Sequence, residues 1–208
     1  MEDWVSGYRS QSEEYSYWIT DIEGTIPSDL EGTLFRNGPG LMDVFGHEVK
    51  HPFDGDGMVS SITFRQGKAY YRNRFVRTAG YVAEQTQQKP LYRGVFGTQK
   101  PGGPLANAFD LKLKNIANTH IVYWGGKLLA LWEAAEPHRL DPYSLETIGL
   151  DSLNGLLPPG GAFTAHPKFD PGHHHGQPRL VGFSVKAGLS STISLYELDT
   201  SGQVVSRH

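Results

Sequence analysis

Apolar and polar positions alternate with a period of two along most of the chain, the pattern of strands that turn one face to a core. "MVSSITF" (58–64) and "AYYRNRFV" (69–76) flank a turn at "RQGK", which predicts a hairpin. "HIVYW" (120–124) and "LLALWE" (128–133) repeat the arrangement around "GGK". "RLVGFSV" (179–185), "TISLYELD" (192–199) and "QVVSRH" (203–208) repeat it again, the last two around "TSG". Between them, "PHRLDPYSLETIG" (137–149) supplies a third short strand and a Pro-Tyr-Ser turn. "LEGTLFRNGPG" (30–40) predicts a strand that enters a Gly-Pro turn, with positive φ at Asn37-Gly38. Residues 1–29 read as a polar lead-in with aromatic anchors Trp4, Tyr8, Tyr15, Tyr17 and Trp18. No long helical period occurs, and only 105–117, "LANAFDLKLKNIA", reads as one short helix.

Repeated antiparallel modules with L-D-P or L-D-T turns predict an all-β chain built of β-propeller blades. The hairpin turns near 67, 126 and 202 are irregularly spaced, so long loops must be inserted. Three or four blades leave a ring unclosed, with exposed strand edges. The expectation is that 1–208 form the N-terminal part of a single propeller domain, and that the chain stops before that domain is complete.

Composition narrows the function classes. The net charge is -3, with no basic stripe, which argues against nucleic acid. There is no cysteine, which excludes disulfides and thiolate metal sites and suits a cytoplasmic location. The acidic, polar start does not read as a signal peptide. The longest apolar run, 128–132, is far short of the roughly 20 residues of a membrane helix. The segment 92–109, with Tyr92, Val95, Phe96, Leu105 and Phe109, is the candidate for a peripheral membrane contact.

Several motifs invite chemistry. "HPFDGDGMV" (51–59) sets Asp54 and Asp56 around Gly55. A calcium loop would need further ligands and a glutamate that the segment lacks. A paired-carboxylate hydrolase is a second reading. The favoured one is a turn in which the Asp side chains bond nearby backbone N–H groups. His173, His174 and His175 lie between Pro-Gly and Gly-Gln-Pro and read as a solvated loop. Glu133 ends an apolar strand, where it is either exposed or paired with a cation or an imidazole. His166, in "GAFTAHPKFDP" (161–171), is a metal ligand, a general base or a hydrogen-bonded structural histidine, and the local sequence leaves all three open.

Taken in order, "LEGTLFRNGPG", "KHPFDGDGMV", "RFVRTAGYV", "YRGVFGTQ", "LKNIANTHIVYWGGKLLALWE", "PHRLDP" and "FTAHPKFDP" resemble the carotenoid cleavage oxygenase family, most of all its cyanobacterial-type apocarotenoid branch. The resemblance implies a seven-bladed propeller, of which only the first blades are present here. It also implies a non-haem Fe(II) on the axis, held by four histidines, that uses O₂ to split a conjugated double bond of an apolar apocarotenoid into carbonyl products, among them retinal-like aldehydes. Neutral imidazoles suit Fe(II), and carboxylates that accept their outer ring N–H fix each tautomer. By the same resemblance His166 is an iron ligand, and Glu133 orients a later histidine rather than His166 itself. Thr119 stands near an iron coordination position, and Trp132 and Phe53 line the substrate tunnel. The later histidines, His173, His174, His175 and His208, stand in no matching context, so the 208 residues alone are expected to be inactive. The rival reading is a non-catalytic propeller module that lacks the iron site.

Overall fold

In the computed structural model, residues 9–108, 110, 113–172, 176–186 and 190–208 are described. The strands in chain order are β1 (Ser16–Ile19), β2 (Gly32–Leu41), the short ribbon β3 (Asp43–Val44) and β4 (His47–Glu48), β5 (Asp56–Arg65) and β6 (Lys68–Phe75). Helices α1 (Ala79–Gln87) and α2 (Gly103–Ala108) follow. Then come β7 (His120–Trp124), β8 (Lys127–Leu131), β9 (His138–Leu140), β10 (Thr147–Leu150), β11 (Lys168–Asp170), β12 (Arg179–Lys186), β13 (Thr192–Leu198) and β14 (Val204–Arg207). Apart from the ribbon, they pair into three four-stranded antiparallel sheets, ordered β1-β6-β5-β2, β10-β9-β8-β7 and β11-β12-β13-β14. The chain is all-β in its architecture, and the three sheets stack face to face as propeller blades.

Local chemistry sets the hairpins. Gln66-Gly67 and Gly125-Gly126 all have positive φ. Two-residue turns of that kind match the right-handed twist of the strands they join, here β5 to β6 and β7 to β8. The "LDP" and "LDT" turns work through their aspartates. Asp141 Oδ1 accepts the backbone N–H groups of Tyr143 and Ser144. Asp199 Oδ1 accepts those of Ser201 and Gln203.

The middle sheet explains the run "KLLAL". Leu128 and Ala130 of β8 pack toward the first sheet, with Val59, Val76, Leu140 and the partly buried Phe35. Leu129 and Leu131 pack toward the third, with Phe163, Leu180, Tyr196 and Leu198. A strand covered on both faces carries no polar alternation. The end sheets alternate because one face of each lies open. Val185, Ile193 and Leu195 are exposed on the third sheet, as are Leu34 and Tyr17 on the first.

Four sequence expectations change. The lead-in contains β1, which pairs with β6 and sets Tyr17 at a tilt against Tyr71 and Trp18 edge to face with Tyr70; Trp4 and Tyr8 lie outside the described residues. Asn37-Gly38 is not a turn. Strand β2 continues through it, paired Asn37 to Val59 and Gly38 to Met58, because the Asn37 amide bonds a neighbouring segment instead of its own backbone. The expected helix at 105–117 is α2, shorter and shifted to Gly103–Ala108. The Asn107 side chain bonds the Lys100 and Gly103 carbonyls, and Leu113 already bridges Arg93 in an extended conformation. Helix α1 was not expected. Thr78 caps it by accepting the Tyr81 N–H, but its buried positions are only Gly80, Tyr81 and Glu84, so no apolar stripe announces it.

Candidate functional site

The platform under His166 is tightly built. Phe163 inserts against β12, where a Cβ at Gly182 would run into its ring. The Thr164 N–H donates to the Phe183 carbonyl at 2.8 Å, and the His166 N–H donates to Thr164 Oγ1 at 3.0 Å. Phe163, Thr164 and Ala165 are buried, whereas the His166 side chain is 61% exposed. Its Nε2 lies 3.9 Å from Glu133 Oε1, beyond hydrogen-bond reach. Among the described residues neither ring nitrogen of His166 has a hydrogen-bond partner.

Glu133 begins the turn after β8, with its side chain 46% exposed. It accepts a long hydrogen bond, 3.4 Å, from Thr164 Oγ1. It also borders an open groove of about 880 Å³ that runs along the third sheet to Tyr196 and Arg207. The His120 ring, at the head of β7, stands 6.4 Å from the His166 ring at an angle of 28°. Burial first, then the neighbouring His166 and Lys168, hold the His120 pKa below the usual imidazole value. One open face therefore brings together His166, Glu133 and His120, drawn from three elements. Among the described residues no group of three or more His, Cys, Asp or Glu is placed to hold a metal ion. His173, His174 and His175 lie outside the described residues.

Thr119 precedes His120. Its N–H donates to the Leu131 carbonyl at 3.1 Å and its hydroxyl to Asn118 Oδ1 at 3.1 Å. Trp132 is 7% exposed and borders a small cavity of about 40 Å³, with Asp54, Glu84, Lys114 and Ile116. Phe53 is 58% exposed on the turn Pro52–Asp54. It contacts His51 and Phe96 edge to face and borders a separate open groove of about 1030 Å³. Trp132 and Phe53 thus line different hollows.

The two aspartates have different fates. Asp54 accepts from the Val95, Phe96 and Thr98 N–H groups and from the Thr98 hydroxyl, at 2.7 to 3.3 Å. The reading of backbone N–H partners holds for Asp54, though they lie 41 to 44 residues away rather than nearby. A Cβ at Gly94 would collide with its carboxylate. Asp56 bonds no backbone N–H. Its Oδ2 accepts from Lys114 Nζ at 2.6 Å, and Lys114 also pairs with Glu84 at 2.5 Å. The other Asp56 oxygen is buried with no hydrogen-bond partner among the described residues, and burial raises the pKa above the usual carboxylate value despite Lys114. Neither carboxylate is free to act as a hydrolase pair. Lys114 and Glu84 were missed because only the fold brings them within reach of Asp56. His120 was legible as the residue after Thr119 in "ANTH", but nothing in the sequence placed it beside His166.

Comparison with known proteins gives this face a context. The family model described as retinal pigment epithelial membrane protein matches residues 8–208. The chain is 55% identical over 207 residues to the apocarotenoid-15,15′-oxygenase of Synechocystis sp., covering 98% of this chain and 42% of that protein. It is 33% identical over 186 residues to resveratrol cleavage oxygenase 1 of Aspergillus fumigatus, covering 88% and 35%. The crystal structure of the cobalt-substituted Synechocystis enzyme superposes with a TM-score of 0.96 at 54% identity, covering 100% of this chain and 44% of that one. The chain spans about two fifths of the length of these relatives. It belongs to the retinal pigment epithelial membrane protein and carotenoid oxygenase family.

Proposed function

We propose that this sequence contributes to a non-haem iron(II)-dependent dioxygenase that cleaves a conjugated double bond of an apocarotenoid into retinal-like aldehydes. The observation that carries the reading is His166. Its imidazole stands on a buried platform with both nitrogens free of hydrogen bonds, in a chain 55% identical to an apocarotenoid oxygenase. A relative that accepts cobalt supports a divalent transition metal at this face. The described residues supply one such imidazole and not a full donor set, so the remaining ligands are assigned outside them. Bound iron would supply the activation of O₂. Glu133 would orient a ligand imidazole through its outer N–H. Thr119 would limit access beside the metal, and Trp132 and Phe53, which line different hollows here, are the candidates for apolar contact to the polyene.

Within the segment 92–109, the exposure of Val95 and Phe96 supports a peripheral membrane contact. Phe109 lies outside the described residues, and among the described residues no helix is long and apolar enough to cross a membrane. The rival reading is a binding module without iron.

One experiment decides between them. Residues 1–208 replace the matching segment of the Synechocystis oxygenase, with and without His166→Ala. The expected result is about one iron per chain and aldehyde formation from an apocarotenal, both lost in His166→Ala. Full iron content after His166→Ala, or a folded hybrid that takes up no iron, would overturn the reading.

A further inference from the structure

Residues 115–120, "NIANTH", are held by amide side chains from both sides. Asn37 Nδ2 on β2 donates to the Ala117 carbonyl at 2.8 Å and to the His120 carbonyl at 2.9 Å. Asn118 Nδ2 donates to the Phe53 carbonyl at 3.0 Å and to the Gly55 carbonyl at 2.8 Å. Asn115 accepts from the Ala117 N–H and donates to the Glu136 carbonyl. Gly57 closes the remaining side. Its N–H bonds the Ile116 carbonyl, and a Cβ there would collide with the Ala117 carbonyl.

Inside this clamp Ala117 is fully buried at φ +43°. A residue with a Cβ seldom adopts that conformation, and it persists only where the surroundings over-determine it. Thr119 and His120 lie two and three residues on, and the His120 ring faces His166. A left-handed backbone residue held by side-chain amides, three residues before the histidine that faces His166, resembles a device for aiming side chains. The same Asn37 leaves its Oδ1 buried and unpaired, so the side chain forgoes an acceptor bond to make its two donations.

We infer that Asn37 and Asn118 are positioning residues, whose amides hold Ala117 in its left-handed conformation and so fix the backbone at Thr119 and the His120 ring beside His166. The functional meaning rests on reading His166 as a metal ligand. The test uses the metal-free chain, so the two ideas fail separately.

The test is amide exchange and histidine-ring NMR on the 208-residue chain. Asn37→Ala and Asn118→Ala are each expected to lower protection of the Thr119 N–H by about 10- to 100-fold, the loss of two hydrogen bonds from one amide. The ring signals of His120 and His166 should shift together, while those of His47 and the amides of the β12–β13 pair stay in place. Adding Ala117→Gly to Asn37→Ala should restore much of the protection, since glycine takes positive φ without steric cost. Unchanged exchange and ring signals in both variants would overturn the inference. So would a loss spread evenly over β12 and β13, which marks general destabilisation. Should Asn37→Ala fail to fold, Asn37→Ser and Asn118→Ala carry the same readouts, and the same results support or overturn the inference.

Discussion

The turn around Asp54 and Asp56 and the face around His166 contrast in almost every physical respect. The turn is closed. Asp54, Asp56 and Glu84 are buried, and each is tied to a cation or to backbone N–H groups. The face is open. His166 and Glu133 are mostly or nearly half exposed, and their one mutual contact is 3.9 Å long. In the sequence the turn looks richer in chemistry, with two carboxylates in three residues. The fold commits both carboxylates to structural partners. A buried charge must be paired, and pairing commits its lone pairs to structure. An exposed imidazole on a rigid base keeps its lone pair available to a ligand.

The largest expected effect breaks the closed side. Lys114→Met would leave Asp56 and Glu84 facing each other without a cation. Removing one partner of a buried ion pair costs about 3–5 kcal/mol, which lowers Tm by on the order of 10 °C in a chain of this size. Burial already raises the Asp56 pKa, and removing Lys114 raises it further. A folded-state pKa above the unfolded one means that stability falls as pH rises through it. The deficit of Lys114→Met should therefore shrink as the pH is lowered. Denaturant titration at two pH values checks both statements. A deficit below about 1 kcal/mol, in the range of an exposed pair, would show that the cluster is solvated.

A second buried group gives an effect nearly as large. His138 on β9 is buried, and burial lowers its pKa from 6.5 to about 4. The imidazole is neutral in the folded chain and gains a proton more readily when unfolded. Its contribution is complete above pH 6.5 and is lost as pH falls from there towards 4, where it levels off. The full shift corresponds to on the order of 3 kcal/mol. His138→Gln should flatten stability against pH across that window. An unaltered pH profile in the variant would place the acid sensitivity elsewhere.

Legibility in the sequence follows the range of the interactions involved. The hairpins were readable because "QG" and "GG" turns and two-residue alternation act within a few residues. The continuous run at Leu128–Leu131 was readable as a strand, though its two covered faces were not, since they depend on sheets on either side. β1 was unreadable because its pairing with β6 joins segments 56 residues apart at Ser16 and Arg72. Asn37 misled because Asn-Gly favours a turn locally, whereas its amide finds Ala117 and His120 some 80 residues away. His166, Glu133 and Thr119 were placed by resemblance to a family; residue patterning alone left His166 and Glu133 with several readings each. That His120 joins His166 and Glu133 depended on the stacking of two blades, which no local pattern encodes.

The smallest expected effect sharpens the open side. His166→Ala removes a side chain that is 61% exposed and, among the described residues, hydrogen-bonded to nothing. Glu133→Gln keeps an acceptor for the Thr164 hydroxyl and removes only the charge. Substitutions away from buried networks usually fall within about 0.5 kcal/mol, so both variants should unfold with the wild-type midpoint. The same pair should separate once metal is present. In the hybrid with the Synechocystis oxygenase, Glu133→Gln is expected to weaken iron retention by about 10- to 100-fold, the usual range for a carboxylate that orients a ligand imidazole. His166→Ala should abolish retention. Loss of folding stability above about 2 kcal/mol in either variant would point to a named structural mechanism instead. It would mean that the open face, like the closed turn, is part of the scaffold, and that the contrast between them is one of exposure rather than of role.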